Sequence, residues 1–436
     1  MEGEVGRFDF KTYDVKSTNK TLLFEGISLF PKRRGLQWYP TCGFKEIALI
    51  CGAAQRSYRQ TVQVFNYSRR QEIGGTPLNT LRDVAQREGL KVLDFLTRQT
   101  QRLFKQHHFN ANGMPEADCA PIEPLPETAF LTPEALQPAL DVVVEDMIRR
   151  ELKTQIIDKV KKNAMLPNVY EQTEHTVYVH IDDVGVKEQK PHREKKALGN
   201  AAVTTQPEST KNKRPTVQNT VAYIAHAGKH FTLSGRSVAE VLRFVLAFLL
   251  NNHLHHLALK CCTDGQRHLQ DSILAFLSWH PSLSLLLDWF HLVKKFKEDL
   301  SLACKGREIR NRHLQSLLTL LWFGLVDNAQ AYLATIPSSE IKDRSAIERL
   351  SNYLERNEKW IPCYAMRRQL QRPNSSNPVE RCNNQITAHR QKHQGMSWSE
   401  NGSYALTALN TLTVNRAARQ WVENRSLPFV LLDKAA

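Results

Sequence analysis

The apolar positions first fall into a helical rhythm after Cys42. Residues 44–55 place Phe44, Ile47, Ala48 and Cys51 at i, i+3, i+4 and i+7, the spacing of one helix face. Residues 1–40 carry no such period and are expected to form an N-terminal arm. A second helix is expected over 57–70, with Ser57 as its N-cap. After the Gly74-Gly75 break a third is expected over 76–89, with Thr76 as N-cap, Pro77 at the first helical position and Gly89 as its stop. Residues 106–135, rich in Pro, Ala and acidic side chains, read as a linker. A helix is expected over 133–163, ending in Lys159, Lys161 and Lys162.

The period then changes. The run 176-TVYVHIDDVGV-186 is dense in β-formers and predicts the first strand. The charged stretch 187–214 has no core-forming pattern and predicts a long loop or insertion. Strands over 217–226 and 230–234 are joined by Ala227-Gly228-Lys229, a hairpin signal, and Ser237 caps an apolar helix to about Asn252. A fourth strand is expected over 256–264, a helix over 265–277, a fifth strand over 283–288 and a helix over 290–304. Residues 305–372 are helical on pattern, and 403–426 predict one or two further amphipathic helices. The order β-β-β-α-β-α-β-α is the RNase H-like succession. The expected fold class is therefore α/β, an RNase H-like mixed sheet with a late helical insertion, preceded by an all-α helix-turn-helix domain.

Charge changes the picture. The 436 residues carry 59 Lys+Arg against 44 Asp+Glu, a formal charge of +15, while 41% hydrophobic content is ordinary for a folded chain. Such a balance favours a polyanionic partner, nucleic acid ahead of a membrane surface. The longest apolar run, 244-FVLAFLL-250, is too short to span a bilayer. The acidic, polar start of the chain is no signal peptide. Eight cysteines without a C-x-x-C pair predict buried thiols, not a zinc ribbon or disulfide framework, in a cytoplasmic, reducing setting. The three N-terminal helices resemble a helix-turn-helix unit, in which the third would offer Asn79, Thr80, Arg82 and Asp83 to a major groove; a small helical adaptor is the alternative.

The candidate chemistry gathers in the stretch 376-SNPVERCNNQITAHRQKHQGMSW-398. It predicts a helix opening on Pro378, with Glu380 in its first turn and Arg381, Asn383, Asn384, His389, Arg390 and Lys392 behind it. Upstream, Asp182 closes the first strand and Asp264 the fourth, which lie side by side in an RNase H-like sheet. Three clustered carboxylates repel one another and raise one another's pKa unless cations intervene. Two Mg²⁺ ions would remove that penalty and suit in-line phosphoryl transfer. Asp183 is an alternative to Asp182, and strand alternation allows only one of the two to serve. Asn377-Pro378-Val379-Glu380 also has the spacing of a capping box, with Glu380 reaching back to the helix start. His107 with His108, and His253 with His255 and His256, have no Cys or carboxylate at ligand spacing and read as surface.

The motifs VYVHIDD, CCTDGQ, LLLDWFHL and NPVERCNN…GMSW, in that order, resemble the DDE transposases of bacterial insertion sequences, within the Mutator-like branch. The resemblance covers roughly residues 175–425. Thr263-Asp264-Gly265 matches the branch's [S/T]-D-G, Asp288-Trp289-Phe290-His291 its C/D-x-x-H, and Glu380 its late glutamate ahead of a G-M-x-W segment, here 395–398. One departure is Asp183, where the family usually has Gly. The resemblance implies catalysis by Asp182, Asp264 and Glu380 holding two Mg²⁺ ions (Mn²⁺ as substitute), with Asp288 and His291 in support. It implies as partners double-stranded DNA, both the element's terminal inverted repeats and target DNA, a homo-oligomer on that DNA, and a nucleoid-associated location.

Arg381, Asn383, Asn384, Arg390 and Lys392 are then candidates for phosphate contact, which positions DNA without reading its sequence. The expected domains are an arm (1–40), a helix-turn-helix domain (41–105), a linker and connecting helix (106–172), a catalytic core (173–304 and 373–436) and the helical insertion between its parts (305–372). A structure-specific nuclease and a non-catalytic repressor on the same fold are the alternatives in function.

Overall fold

A run of β-formers with no polar alternation belongs in the middle of a covered sheet, and that is where the structure puts it. The computed structural model describes residues 57–69, 77–189 and 215–433, together with residue 49 and the two-residue strands Glu2–Gly3, Gly6–Arg7, Asp14–Val15 and Ile27–Ser28. For residues 65, 66, 68, 69 and 77–80 it gives the backbone alone. Most of the expected arm, the helix over 44–55 apart from residue 49, the Thr76 cap and residues 190–214 of the basic insertion therefore lie outside the described residues.

The chain forms two compact units, Met1–Phe95, Gly185–Val217 and Gln385–Pro428 in one, Leu96–Val184, Gln218–Asn384 and Phe429–Ala436 in the other. The second unit carries most of a six-stranded mixed sheet. Its strands are β1 (Thr176–Lys187), β2 (Thr216–His226), β3 (Lys229–Gly235), β4 (Ala258–Thr263), β5 (Leu283–Leu287) and β6 (Leu432–Asp433). Their order across the sheet is β6-β3-β2-β1-β4-β5. β2 and β3 are antiparallel, while β4 runs parallel to both β1 and β5. This mixed α/β arrangement is consistent with an RNase H-like succession. The first six residues of β1 are all buried, as befits a central strand. The β2–β3 hairpin turns on Ala227 (φ 45°) and Gly228 (φ 81°), two positive φ values in succession, the geometry that matches strand twist. The short β6, pairing with β3, has no counterpart in the sequence pattern because two residues carry no period.

Helix α5 (Val238–Asn251) holds the longest apolar run and is buried on nearly every side, which explains why no polar face interrupts it. Ser237 caps it by accepting from the Glu240 amide at 3.2 Å. No helix among the described residues is long and apolar enough to cross a membrane. Helices α6 (Arg267–Phe276) and α7 (Trp289–Ala303) follow β4 and β5. The expected insertion consists of α8 (Arg307–Trp322), α9 (Val326–Thr335), α10 (Arg344–Asn357) and α11 (Tyr364–Gln369). Leu317, Leu350 and Tyr364 share one buried cluster with Leu286 and Leu287 of β5, and the Tyr364 hydroxyl donates to the Leu287 carbonyl at 2.8 Å. The insertion thus braces the strand end that carries the site. The single helix expected over 133–163 is two, α3 (Pro133–Arg149) and α4 (Thr154–Ala164), parted where Glu151 takes φ 58°.

In the first unit the expectations need correction. Helix α1 (Tyr58–Arg69) is capped by Ser57 as expected, its hydroxyl accepting from the Gln60 amide at 3.1 Å. Helix α2, however, runs from Pro77 to Gln106 and does not stop at Gly89. The glycine serves packing. A Cβ there would stand 2.2 Å from the Ala405 carbonyl oxygen of α13 (Glu400–Val414), so only glycine admits so close an approach. A thirty-residue helix is not the short third member of a compact helix-turn-helix, and that domain is not recovered from the described elements.

Replacing Gly89 by Ala in an uncrowded helix would add about 0.5–1 kcal/mol of stability. Here we expect Gly89→Ala to lose about 1–3 kcal/mol through overpacking, read as a lowered urea midpoint. An unchanged or raised midpoint would contradict the close helix approach.

Candidate active site

Parallel strands run in register, and here three of them carry an aspartate: Asp264 and Asp288 directly follow β4 and β5, while Asp182, expected to close the first strand, lies within β1, which continues to Lys187. His180 of β1 lies opposite Cys262 of β4, and Thr263 of β4 opposite Leu287 of β5. Two residues beyond the first pair come Asp182 and Asp264; one beyond the second come Asp264 and Asp288. Equal steps from a registered pair keep Asp182 and Asp264 on the same face. Gly265 follows at φ +87°, a conformation that turns the chain sharply after β4. The Asp264 carboxylate accepts from the Gln266 amide at 2.9 Å, just ahead of α6.

Asp182 is the electrostatically costly member. Burial, followed by the charges of Asp264 and Asp183, pushes its pKa up to about 6, although bonds from Asn383 and the Asp183 amide pull the other way. Asn383 Nδ2 donates to Asp182 Oδ2 at 2.6 Å. Asp183 turns instead to β2, where the Thr220 hydroxyl donates to it at 2.5 Å. Burial raises its pKa as well, with Asp264 adding to the effect and Thr220 and His268 opposing it. Of the two neighbours, Asp182 is the one that meets the helix bearing Glu380.

That helix, α12 (Asn377–Asn383), is seated by a buried carboxylate. Asp288 is fully buried and accepts from the Ser376 amide, directly before α12. Its other oxygen accepts from the His291 amide at 2.7 Å, capping α7. The His291 ring then spans the gap, with Nδ1 3.3 Å from Asp288 and Nε2 3.5 Å from Glu380 Oε1. Burial would raise the pKa of Asp288, but the bonds from His291 and Ser376 outweigh it and hold the group below its ordinary value. The Asp288 bond, with the charges of Asp288, Glu380 and Asp264, raises His291 against the effect of burial. Glu380 is therefore turned toward His291, and the capping-box alternative is not realised: α12 begins at Asn377 after a Ser376 cap.

Among the described residues, no three His, Cys, Asp or Glu side chains are close enough to form a finished metal site. The donor chemistry nevertheless suits a hard divalent cation: all three candidates are carboxylates, and the half-buried Asp182 resists ionisation without one. Asp264 and His291 line an open cavity of about 490 Å³ together with Lys294, Lys295, Arg349 and Arg356. These four cations were not singled out from sequence. The signal was present in α10, where Arg349, Asn352, Tyr353 and Arg356 repeat at i, i+3, i+4 and i+7.

The expected phosphate contacts divide. Arg381, Asn384 and Lys392 are exposed. Asn383 is 4% exposed and spent on Asp182, so it orients a carboxylate and does not face solvent. Arg390 is 1% exposed, its guanidinium 5.0 Å from the Tyr58 ring and 5.7 Å from that of Trp398, where a DNA backbone cannot reach it. For Arg390 the misplacement has a cause: Asn384–Ala388 is a π-helical turn, which breaks the α-period assumed for the stretch. Arg82 is exposed and pairs with Asp83 at 3.1 Å, while the side chains of Asn79 and Thr80 lie outside the described residues. His108, His253 and His256 are surface residues as expected, but His107 and His255 are half-buried, their rings 5.9 Å apart.

Because Asp182 has a raised pKa when folded, its ionisation opposes folding. The folded chain binds the extra proton, so stability from this group is present at low pH and lost as pH rises from the ordinary aspartate range through about 6. Asp182→Asn should therefore stabilise the metal-free protein at pH 8 by on the order of 1–3 kcal/mol in chemical denaturation, with the gain vanishing in acid. Equal stability at pH 8 would refute the buried-carboxylate account.

No family model matches this chain, and no curated protein does. Among solved structures, it aligns with a chain of the crystal structure of a pre-cleavage Mos1 transpososome at 10% identity, over 82% of this chain and 99% of that one. The TM-score is 0.16, too low to carry any argument about fold or activity.

Proposed function

We propose that this chain is a DNA transposase of the DDE type, which binds the ends of its element, cleaves there and joins the 3′-OH ends to target DNA. What supports the reading is that Asp182 and Asp264 lie two residues beyond a registered pair on adjacent parallel strands, with the glutamate helix seated on Asp288 after the third. The net charge of +15 and the exposed cations around the site support a polyanionic substrate.

In this mechanism Asp182, Asp264 and Glu380 would hold two Mg²⁺ ions. The chemistry that Mg²⁺ supplies in such a site is activation of the attacking oxygen and stabilisation of the leaving one during in-line phosphoryl transfer. The protein's own side chains do the positioning. Asn383 fixes the Asp182 carboxylate, and His291 fixes Glu380 while Asp288 holds the imidazole. Lys294, Arg349 and Arg356 present charge to phosphates entering the cavity beside Asp264. Arg356 also donates to the Gly265 carbonyl at 3.3 Å, tying that charge to the turn after β4. Exposed Arg381, Asn384 and Lys392 contact backbone phosphates without reading bases, and residues from the start of α2, including Asn79, Thr80 and Arg82, contribute to end recognition.

Mg²⁺-dependent cleavage of duplexes carrying candidate element ends should fall by on the order of a hundredfold or more in Asp264→Ala, with unchanged circular dichroism. Equal activity in the two proteins would refute the site. Pre-cut ends test the finer reading: joining to a target duplex is expected, whereas cleavage without joining would identify a structure-specific nuclease.

A further inference from the structure

A second cavity, of about 280 Å³, lies at the opposite ends of the strands that carry the site. Lys260 and Ser284, near the starts of β4 and β5, line it with Tyr170, Lys359, Trp360 and Arg367. Its size falls just below the range for small-molecule pockets, roughly 300–1,000 Å³, leaving room for one ring and a head group. Trp360 and Tyr170 offer aromatic faces. The charge around it is unbalanced. Glu171 serves two cations, Lys260 at 2.6 Å and Arg372 at 4.0 Å. Arg367 is 6% exposed and donates to the neutral Asn374 side chain and the Pro373 carbonyl, at 3.2 and 2.7 Å. Lys359 sits 5.0 Å over the Trp360 ring. The Ser284 hydroxyl is buried without a hydrogen-bond partner. Burial lowers the pKa of Lys260, and Arg367 and Arg372 lower it further against the pull of Glu171. An incoming anion would relieve this excess of buried positive charge.

We propose that this cavity binds a small organic anion bearing one planar ring, and that occupancy is felt at Glu380. The ring stacks on Trp360, and the carboxylate or phosphate head engages Lys260, Lys359 and Arg367. The link is a chain of bonds. Arg367 holds Pro373 and Asn374, the Asn374 carbonyl accepts from the Trp289 amide at 2.9 Å, and the Ser376 amide donates to Asp288. Asp288 in turn holds His291, which faces Glu380. A ligand that draws the Arg367 guanidinium away loosens the loop from which α12 starts. The inference is independent of the phosphoryl-transfer reading, since binding and its effect on the loop before α12 need neither DNA nor catalysis.

Isothermal titration of the full chain tests it, with phenyl phosphate and benzoate as ring-bearing anions, inorganic phosphate as the ringless anion and phenol as the uncharged ring. Saturable binding is expected for a ring-bearing anion, with at least about tenfold weaker binding of inorganic phosphate and phenol, the loss of one charge-assisted contact or of the stacked ring. The relative strength of phenyl phosphate and benzoate identifies the head group. Ser284→Leu should fill the cavity and abolish binding. Lys359→Ala, at an exposed residue that leaves the fold intact, should weaken it about tenfold. On saturation, exchange of the Trp289 and Ser376 backbone amides, followed by NMR, should speed up as the loop before α12 loosens. Failure of both ring-bearing anions to bind, or binding unchanged by both substitutions, overturns the site. Binding with the exchange of both amides unchanged overturns the link to Glu380.

Discussion

The candidate site depends on one buried carboxylate. Asp288 is fully buried at the end of β5, where an ionised group survives only if its oxygens are satisfied. Its partners come from the start of α7 and from the loop before α12, so the same charge caps one helix and seats another. Removing it would leave the Ser376 amide and the His291 ring without their acceptor and let the Glu380 helix drift from the strand ends. The brace behind it is hydrophobic: Leu286, Leu287 and Tyr364 share a core with the inserted helices, which fixes where β5 stops. Asp288 and the insertion together fix where the helix bearing Glu380 starts, and His291 is the side chain that Glu380 faces.

Electrostatics then sets a tension between stability and chemistry. Asp182 is held half out of water, beside Asp183 and within range of Asp264, and it resists ionisation. A fold selected for stability alone would place an amide there. Keeping a carboxylate, with Asn383 donating to it, makes sense if a cation shares the charge. Strand alternation and Asn383 together separate Asp182 from Asp183, since Asp183 is taken by Thr220 on the neighbouring strand.

Much of this was legible in the sequence because strands and caps leave local signatures. The β-former run over 176–186, the Ala227-Gly228 turn and the Ser237 cap all appear where their chemistry places them. Long-range features were not legible. Gly89 has the look of a helix stop, and only the Ala405 carbonyl beside it shows that it serves a close helix contact. Glu380 sits at capping-box spacing, and only His291 draws it away from that role. Asn383 and Arg390 look like surface phosphate ligands on an ideal helix, whereas Asn383 is buried against Asp182 and Arg390 lies beyond a π turn that carries it inward. The cavity cations came from helices read only for their apolar faces.

The central claim is that Asp182, Asp264 and Glu380 share divalent cations. The most direct measurement is anomalous diffraction from crystals of the protein grown with Mn²⁺. The account predicts anomalous density between the Asp182 and Asp264 carboxylates and Glu380, with Asn383 and His291 still bonded to their partners. Density only at other sites, with the three carboxylates unliganded, would contradict it.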